Sequence, residues 1–464
     1  MAVTGASLFL TRLPRPDRIR TLDLFVDIRA AHLTVLVGLT LGLVGLGLLT
    51  VSWWGLRRHI VGRQDGCARA GWVAATWSVP MLLAPPVFSG DGWSYVATGF
   101  LTSRGYSPYV WTPAILPAPL SSGVSPRWLH TVSPYGPLPL LWGDLVGRLT
   151  ANPWVLLYAY RGLALIGLVM LAWAVPRLAR RTGRDPAAAS WLVLTSPFMI
   201  AIGVGGLHVD LLMAGLMLTA LAVTSRQHWV LGAGLAGAAA AVKVPGGLVA
   251  VGVVLLSLAA GAGLWQRVRR TACVAVVGGL TLLGLGWVIG VGTGWVNALS
   301  VPARTHTILS APTQVGVGLV RLLHIHVLDG VSIVHLSQVG GVVLVALVAA
   351  YTLLRRTPED DATKLMLTGG VLLTAMMLSP LVHYWYALWC LPLLGCLALP
   401  WGQIRTVAVA TGLLGAIAWA DPTIRMPVLV NWVQILLGVA VPVVAVVVAL
   451  LSSKEEARQT QMSE

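Results

Sequence analysis

Apolar runs of about twenty residues, long enough for a helix to cross a bilayer, follow one another through almost the whole chain, with short arginine-bearing connectors between them. Inside lipid every backbone polar group must be satisfied without water, so such runs fold as helices. Of the 464 residues 57% are hydrophobic and 10% are Asp, Glu, Lys or Arg, whereas soluble domains carry about 25% charged residues. That deficit excludes an ordinary soluble enzyme, a disordered tail and a nucleic-acid reader. The pattern implies an all-α polytopic membrane protein.

Crossings are expected near 31–54, 70–88, 154–176, 187–204, 208–224, 229–243, 245–262, 271–291, 332–353, 365–382, 384–400, 405–420 and 430–452, thirteen in all. The formal charge of +15 comes from 31 basic residues against 16 acids. Clustered in the connectors, it marks cytoplasmic loops rather than a polyanion-binding patch. Arg57–Arg69, Arg177–Arg184, Arg267–Arg270 and Arg355–Lys364 then share the cytoplasmic side. Residues 1–30 form a basic segment, 31–452 the membrane domain and 453–464 a cytoplasmic tail, with 89–153 and 292–330 as extracytoplasmic loops. The N-terminus falls outside although it carries Arg12, Arg15, Arg18, Arg20 and Arg29. Either it lies on the membrane surface or the first crossing is misread. No cleavable signal peptide is expected, because this segment lacks an apolar core. Cys67 in a basic loop, Cys273 at a helix start, and Cys390 and Cys396 in apolar runs make no disulfide framework or metal motif.

The loop 89–153 is too long and too rich in Pro, Trp and Tyr for a plain linker. Its GYSPYVWTP stretch (105–113) supplies anchors and turns. Short amphipathic helices lying on the outer membrane face are expected there.

Acids beyond the basic N-terminal segment and outside the cytoplasmic loops are few: Asp91, Asp144, Asp210, Asp329 and Asp421. Ionisable groups at membrane depth are costly and default to functional hypotheses. Asp91, in PPVFSGDGWSYVATG (85–99), stands where a crossing ends and the large loop begins. It can act as a general base toward a hydroxyl nucleophile, or cap a helix starting near Trp93. Asp210 follows His208 in GVGGLHVDLLMAG (203–215), where a cap is again the plain role. The His–x–Asp spacing is weak support for a metal, since further ligands would be needed. Lys243, in AAAAVKVPGG (238–247), is one of three lysines in the chain and the one placed among apolar helices. A lone ammonium there needs an anion, for which a phosphate is the natural partner; snorkelling is the alternative. Arg161, in LYAYRGLAL (157–165), is a second cation near the outer end of a span. Trp numbers 20 against 5 Phe, with Trp93, Trp111, Trp128 and Trp142 in or beside the large loop. Interfacial anchoring explains many of these, and aromatic faces also stack on sugar rings. SPYGP (133–137) and HYWYALW (383–389) bring more aromatics to the same side.

The ordered set FSGDGWSYVATG, GYSPYVWTP, WLHTVSPYGPLPLL, GGLHVDLLMAGLML, AAAAVKVPGG and SPLVHYWYALWCLPLL, spanning roughly residues 70 to 400, resembles the actinobacterial α-(1→6)-mannopyranosyltransferases. These are GT-C-type membrane enzymes of the cell envelope that use polyprenyl-phosphate mannose and extend the mannan backbone of lipomannan and lipoarabinomannan. The resemblance implies a GT-C-like fold with an active site on the outer face of the plasma membrane. It implies Asp91 as catalytic base and Lys243, with Arg161, at the donor phosphate. Ser94, Tyr95, Tyr109, Tyr135, His208, Asp210, His383 and Trp385 are implied in substrate binding. Gly90, Trp93 and Ser107 depart from the family's usual Arg, Tyr and Asp. The partners implied are the donor lipid, a mannan or lipoglycan acceptor and the membrane, with no nucleic acid. The displacement needs no nucleotide cofactor and no obligatory metal. The resemblance further implies one N-terminal crossing fewer than longer members carry. Transfer of arabinose or glucose is the near alternative; a secondary transporter, which should show internal repeats, and a non-catalytic scaffold are the rivals from other classes.

Overall fold

The computed structural model describes residues 1–10, 13–14, 32–87, 89–304, 307, 309–324, 327–328, 331–399, 406–411 and 414. Asp329, Asp421, the arginines of residues 1–30, most of the expected crossing at 405–420, that at 430–452 and the tail 453–464 lie outside them. The strands among the described residues are one short antiparallel pair, Val327–Leu328 with Val331–Ser332; the rest of the regular structure is helical.

Among the described residues three helices can cross a membrane by length and composition: Pro153–Arg181, Leu264–Val288 and Ile333–Leu354. A fourth crossing results if Pro186–Leu194 and the π-helical turn Phe198–Gly205, bent by 51°, form one span. Several sequence expectations change. The segment expected to cross at 384–400 is a 3-10 turn, Tyr384–Trp389, followed by a short helix, Leu391–Leu394. The expected crossing at 271–291 starts earlier, at Leu264, so Arg267, Arg269 and Arg270 occupy its first turns and Cys273 lies inside the helix. Cys67 sits in the first turn of the Gly66–Leu83 helix rather than in a loop.

The outer loop differs most from expectation. Its first helix, Asp91–Ser103, is buried on every side from Asp91 to Thr102, so it is a core element and not an amphipathic helix on the membrane face. DGWSYVATGFLTS carries no charged stripe that would hold one side in water, and its small residues admit close neighbours. It meets the helix Pro137–Gly147 at Gly99 and Gly143, where a Cβ on either would collide with the other's backbone and with the Tyr160 hydroxyl. Tyr160 donates to the Pro139 carbonyl at 2.9 Å and rides on the Pro153–Arg181 helix, so three elements lock at one point. That long helix is started by Asn152, whose side chain accepts from the Trp154 and Val155 amides, with Pro153 in the first turn where its missing N–H costs nothing.

Three links then bring separate motifs together. The Val87 amide donates to the Gly205 carbonyl at 2.8 Å, the Gly136 amide to the Val242 carbonyl at 2.9 Å, and the Ser133 amide to the Pro108 carbonyl at 2.9 Å. The first sets the run-up to Asp91 beside the turn that precedes His208. The second sets Tyr135 beside the end of the helix Trp229–Val242, and hence beside Lys243.

Candidate active site

Asp91 is the first residue of its helix, with Gly90 in the cap position; it is therefore not the cap of a helix starting near Trp93. Its carboxylate is 3% exposed as a residue and is steadied through Oδ2, which accepts from the Tyr135 hydroxyl at 3.3 Å. The Tyr95 hydroxyl lies 3.3 Å from that of Tyr135, and Tyr109 donates to the Tyr135 carbonyl at 2.9 Å. All three expected tyrosines thus stand in one chain of support behind Oδ2. Asp91 also lines a shallow cleft open to solvent, with Ser94, Thr98, Trp128, Thr131, Ser133 and Tyr135. The Ser94 hydroxyl is buried and has no partner.

His208 enters from the other side. It follows Leu207, a non-glycine residue at φ 56, in a left-handed conformation that side chains adopt at a cost and that clusters at functional sites. Gly206 makes the approach possible, since a Cβ there would lie 2.8 Å from the His208 ring. The imidazole is fully buried, and its Nδ1 stands 3.7 Å from Asp91 Oδ2, too far for a hydrogen bond. It stacks on Trp385 with ring centres 4.1 Å apart, and His383 stacks on the opposite face of Trp385, also at 4.1 Å. Both His208 nitrogens, Trp385 Nε1 and His383 Nε2 are buried without partners among the described residues.

Lys243 is extended between its helix and the 3-10 turn Val244–Val249. The anion it meets is Asp210: Nζ lies 3.2 Å from Oδ1. The same Oδ1 accepts from Trp389 Nε1 at 2.7 Å, while Oδ2 is buried and unpartnered. The ammonium also sits 3.9 Å above the Tyr386 ring and 5.2 Å from that of Trp389, a favourable place for a cation. Asp210 opens its helix in the first-residue position, Val209 occupying the cap, so it is an ion-pair partner and not a cap.

Arg161 is not brought to this cluster. Its guanidinium donates to the Val204 carbonyl, to Gly205 at 3.1 Å and to Ala84 at 2.8 Å. It ties the end of the Gly66–Leu83 helix to the π-helical turn through these three carbonyls, while its Nε is buried with no partner among the described residues. Asp144 is likewise structural, bridged to Arg148 at 2.9 Å. Two participants went unmarked in the sequence reading, Tyr386 and Trp389. Their one signal was membership of the HYWYALW run.

The electrostatics follow from this packing. Burial opposes the charge on Asp91, but the facing His208, together with His383 and Lys243, outweighs it and holds the carboxyl below the usual carboxylate range. Burial pushes the His383 imidazole down to about 4, against the pull of Asp91, so it is neutral near pH 7. A buried, ionised carboxylate on the wall of a cleft can take a proton from a bound hydroxyl. Among the described residues no group of three or more His, Cys, Asp and Glu side chains is placed to hold a metal ion, and Asp210, the one carboxylate beside a histidine in sequence, is already engaged by a lysine.

A family profile described as α-(1→6)-mannopyranosyltransferase, N-terminal domain, matches residues 1–260. The chain belongs to this family. It is 30% identical over 400 residues to α-(1→6)-mannopyranosyltransferase A of Mycobacterium tuberculosis, a match covering 83% of this chain and 75% of that one. It is 28% identical over 402 residues to the protein of the same name from Corynebacterium glutamicum, covering 79% and 80%. A probable α-(1→6)-mannopyranosyltransferase of Mycolicibacterium smegmatis matches at 30% over 455 residues, covering 87% and 80%. Membership makes this chain a glycosyltransferase, as the sequence resemblance implied, and sets aside the transporter and scaffold readings. Five of the six motif segments supply residues to the cluster around Asp91, or to its immediate support, and AAAAVKVPGG completes it through Lys243.

Proposed function

We propose that this protein is an inverting transferase that moves mannose from polyprenyl-phosphate mannose to an α-mannan acceptor of the lipomannan type, forming α-(1→6) linkages. The observation that carries the reading is Asp91: a carboxylate held through Oδ2 by Tyr135 on the wall of an open cleft. In the reaction Asp91 takes the proton of the acceptor hydroxyl as that oxygen bonds to the anomeric carbon, and the bond to the lipid phosphate breaks on the opposite side. A β-linked donor so gives an α-linked product. The cleft beside Asp91 is lined by hydroxyls, aromatic rings, two prolines and a valine, and by no charge besides Asp91, which suits a neutral saccharide, the acceptor. Lys243 offsets charge developing on the departing phosphate. Its ammonium has three N–H groups, of which Asp210 takes one, so it can serve both anions. Ser94, Tyr95, Tyr109, Tyr135, His208, Asp210, His383 and Trp385 line or support the two sugar sites.

The surrounding architecture we propose is one GT-C-like, multiply crossing membrane unit over 31–452 in the plasma membrane. Loops 89–153 and 292–330, and with them the active site, face outward, while 453–464 lies in the cytoplasm. The test is transfer by purified protein in nanodiscs from synthetic polyprenyl-phosphate mannose to a short α-mannoside, with the product's linkage read by NMR. An α-(1→6) product is expected; a β-linked product overturns inversion, and no transfer from the mannosyl lipid, with transfer from an arabinosyl or glucosyl lipid, overturns the donor.

A further inference from the structure

The three-ring stack of His208, Trp385 and His383 holds a chemical oddity. Trp385 is covered on both faces, by His208 at 15° to its plane and by His383 at 5°, so no sugar can stack on it. What it leaves available is its edge, and that edge carries a buried N–H with no partner. The rings on either side do the same: both nitrogens of His208 and Nε2 of His383 are buried and unpartnered. Orphaned buried polar atoms are scarce in folded proteins, and each demands an explanation. Here four fall on three adjoining rings, with Asp91 Oδ2 3.7 Å from His208 Nδ1, and Asp210, two residues on from His208, carries a fifth at Oδ2. Trp385 and His208 are 3% and 0% exposed, so bulk water does not meet this need.

We propose that the nitrogen edge of this stack is the hydroxyl-reading wall of the transferred sugar's subsite, with Trp385 Nε1 donating to one ring hydroxyl of the donor sugar. This rests on the mannosyl-transfer reading above and adds to it the atoms that select the sugar. The polar set fits a polyhydroxylated ring: an indole N–H can only donate, the neutral His383 imidazole donates at one nitrogen and accepts at the other, and a carboxylate oxygen such as Asp210 Oδ2 accepts. Stacking fixes the ring planes, so a hydroxyl placed differently finds no partner and leaves the buried groups unpaired. That penalty is how a hydrogen-bonding site rejects close analogues.

The test is Trp385→Phe, which keeps a flat ring in the stack and deletes the N–H. Wild type and variant are assayed in nanodiscs with polyprenyl-phosphate mannose and with its monodeoxy analogues, one for each ring hydroxyl. On the parent donor the variant should lose about 10- to 100-fold in kcat/KM, the scale of one buried hydrogen bond to a substrate. On one deoxy analogue that loss should vanish, because the hydroxyl that Trp385 reads is already gone. His383→Phe, assayed the same way, guards against a folding artefact in the first variant and should pair with a different hydroxyl or with none. Equal loss on every analogue would make Trp385 a packing residue and overturn the proposal, as would full activity of Trp385→Phe on the parent donor. Absence of transfer by wild type would instead sink the mannosyl reading itself.

Discussion

Two aromatic stacks in this molecule look alike and are finished differently. Trp53, from the helix His32–Ile60, stacks on Trp191 of Pro186–Leu194 with ring centres 4.8 Å apart at 10°. Each indole N–H donates to the other residue's carbonyl, Trp191 at 2.8 Å and Trp53 at 3.3 Å. His208, Trp385 and His383 stack at similar spacing, yet both His208 nitrogens, Trp385 Nε1 and His383 Nε2 have no partner among the described residues. The first stack closes on itself and needs nothing more; the second is complete only when something polar fills it. Buried polar atoms are normally satisfied, so leaving a group of them open beside an ionised carboxylate separates a site from a joint.

The largest effect should come from Asp91→Asn, which keeps shape and removes the base. Transfer should fall by about 10²- to 10⁴-fold, the usual worth of a general base, while the unfolding temperature changes little. The carboxyl of Asp91 sits below its ordinary value of 3.8. The stability linked to that shift is complete above the ordinary value and is lost as pH falls through the lower value of the folded protein.

Lys243→Met comes next. It strands Asp210, which is 0% exposed, and breaking one side of a buried pair costs about 3–5 kcal/mol. Adding Asp210→Asn should restore most of the unfolding temperature without restoring transfer; recovery of both would mean the pair is only structural. Gly143→Ala tests the scaffold beneath. A methyl there meets Gly99 and the Tyr160 hydroxyl, and overpacking of this kind costs about 1–3 kcal/mol, seen as a lower unfolding temperature together with weaker transfer, because the Asp91 helix must move.

His383 gives a smaller, pH-dependent effect. Its imidazole is at about 4 in the fold against an ordinary 6.5, so the unfolded chain takes up a proton first. The stability this preserves is complete above 6.5 and declines as pH falls toward 4. His383→Phe should flatten the fall in unfolding temperature across that window. Smallest is Trp191→Phe, which removes one hydrogen bond from the closed stack. A loss of about 1 kcal/mol of stability with unchanged kcat/KM is expected, the opposite of Trp385→Phe.

Much of the site was legible in the sequence because charge is so scarce in a membrane chain. Asp91, Asp210, His208 and Lys243 stood out against apolar surroundings, and the structure gathers them. What the sequence could not supply was who pairs with whom. The Lys243 partner is Asp210, 33 positions away, and nothing local announces that. Arg161 looked equally functional, but backbone carbonyls exposed by a broken helix claimed it, and such breaks are not visible in apolar runs. The Asp91 helix defeated the surface reading for a related reason: its burial comes from packing against the helices Pro137–Gly147 and Pro153–Arg181, which its own periodicity does not reveal. Tyr386 and Trp389 hid among aromatics whose plain role is interfacial.

The most direct test of the central claim is the initial rate of mannosyl transfer from polyprenyl-phosphate mannose by wild type and Asp91→Asn, each in nanodiscs and each shown folded by its unfolding temperature. Transfer by the wild type and its near-complete loss in the folded variant is the outcome expected if Asp91 is the base. Equal rates would contradict it, and would shift the chemistry to another group in the cluster, with Asp210 first.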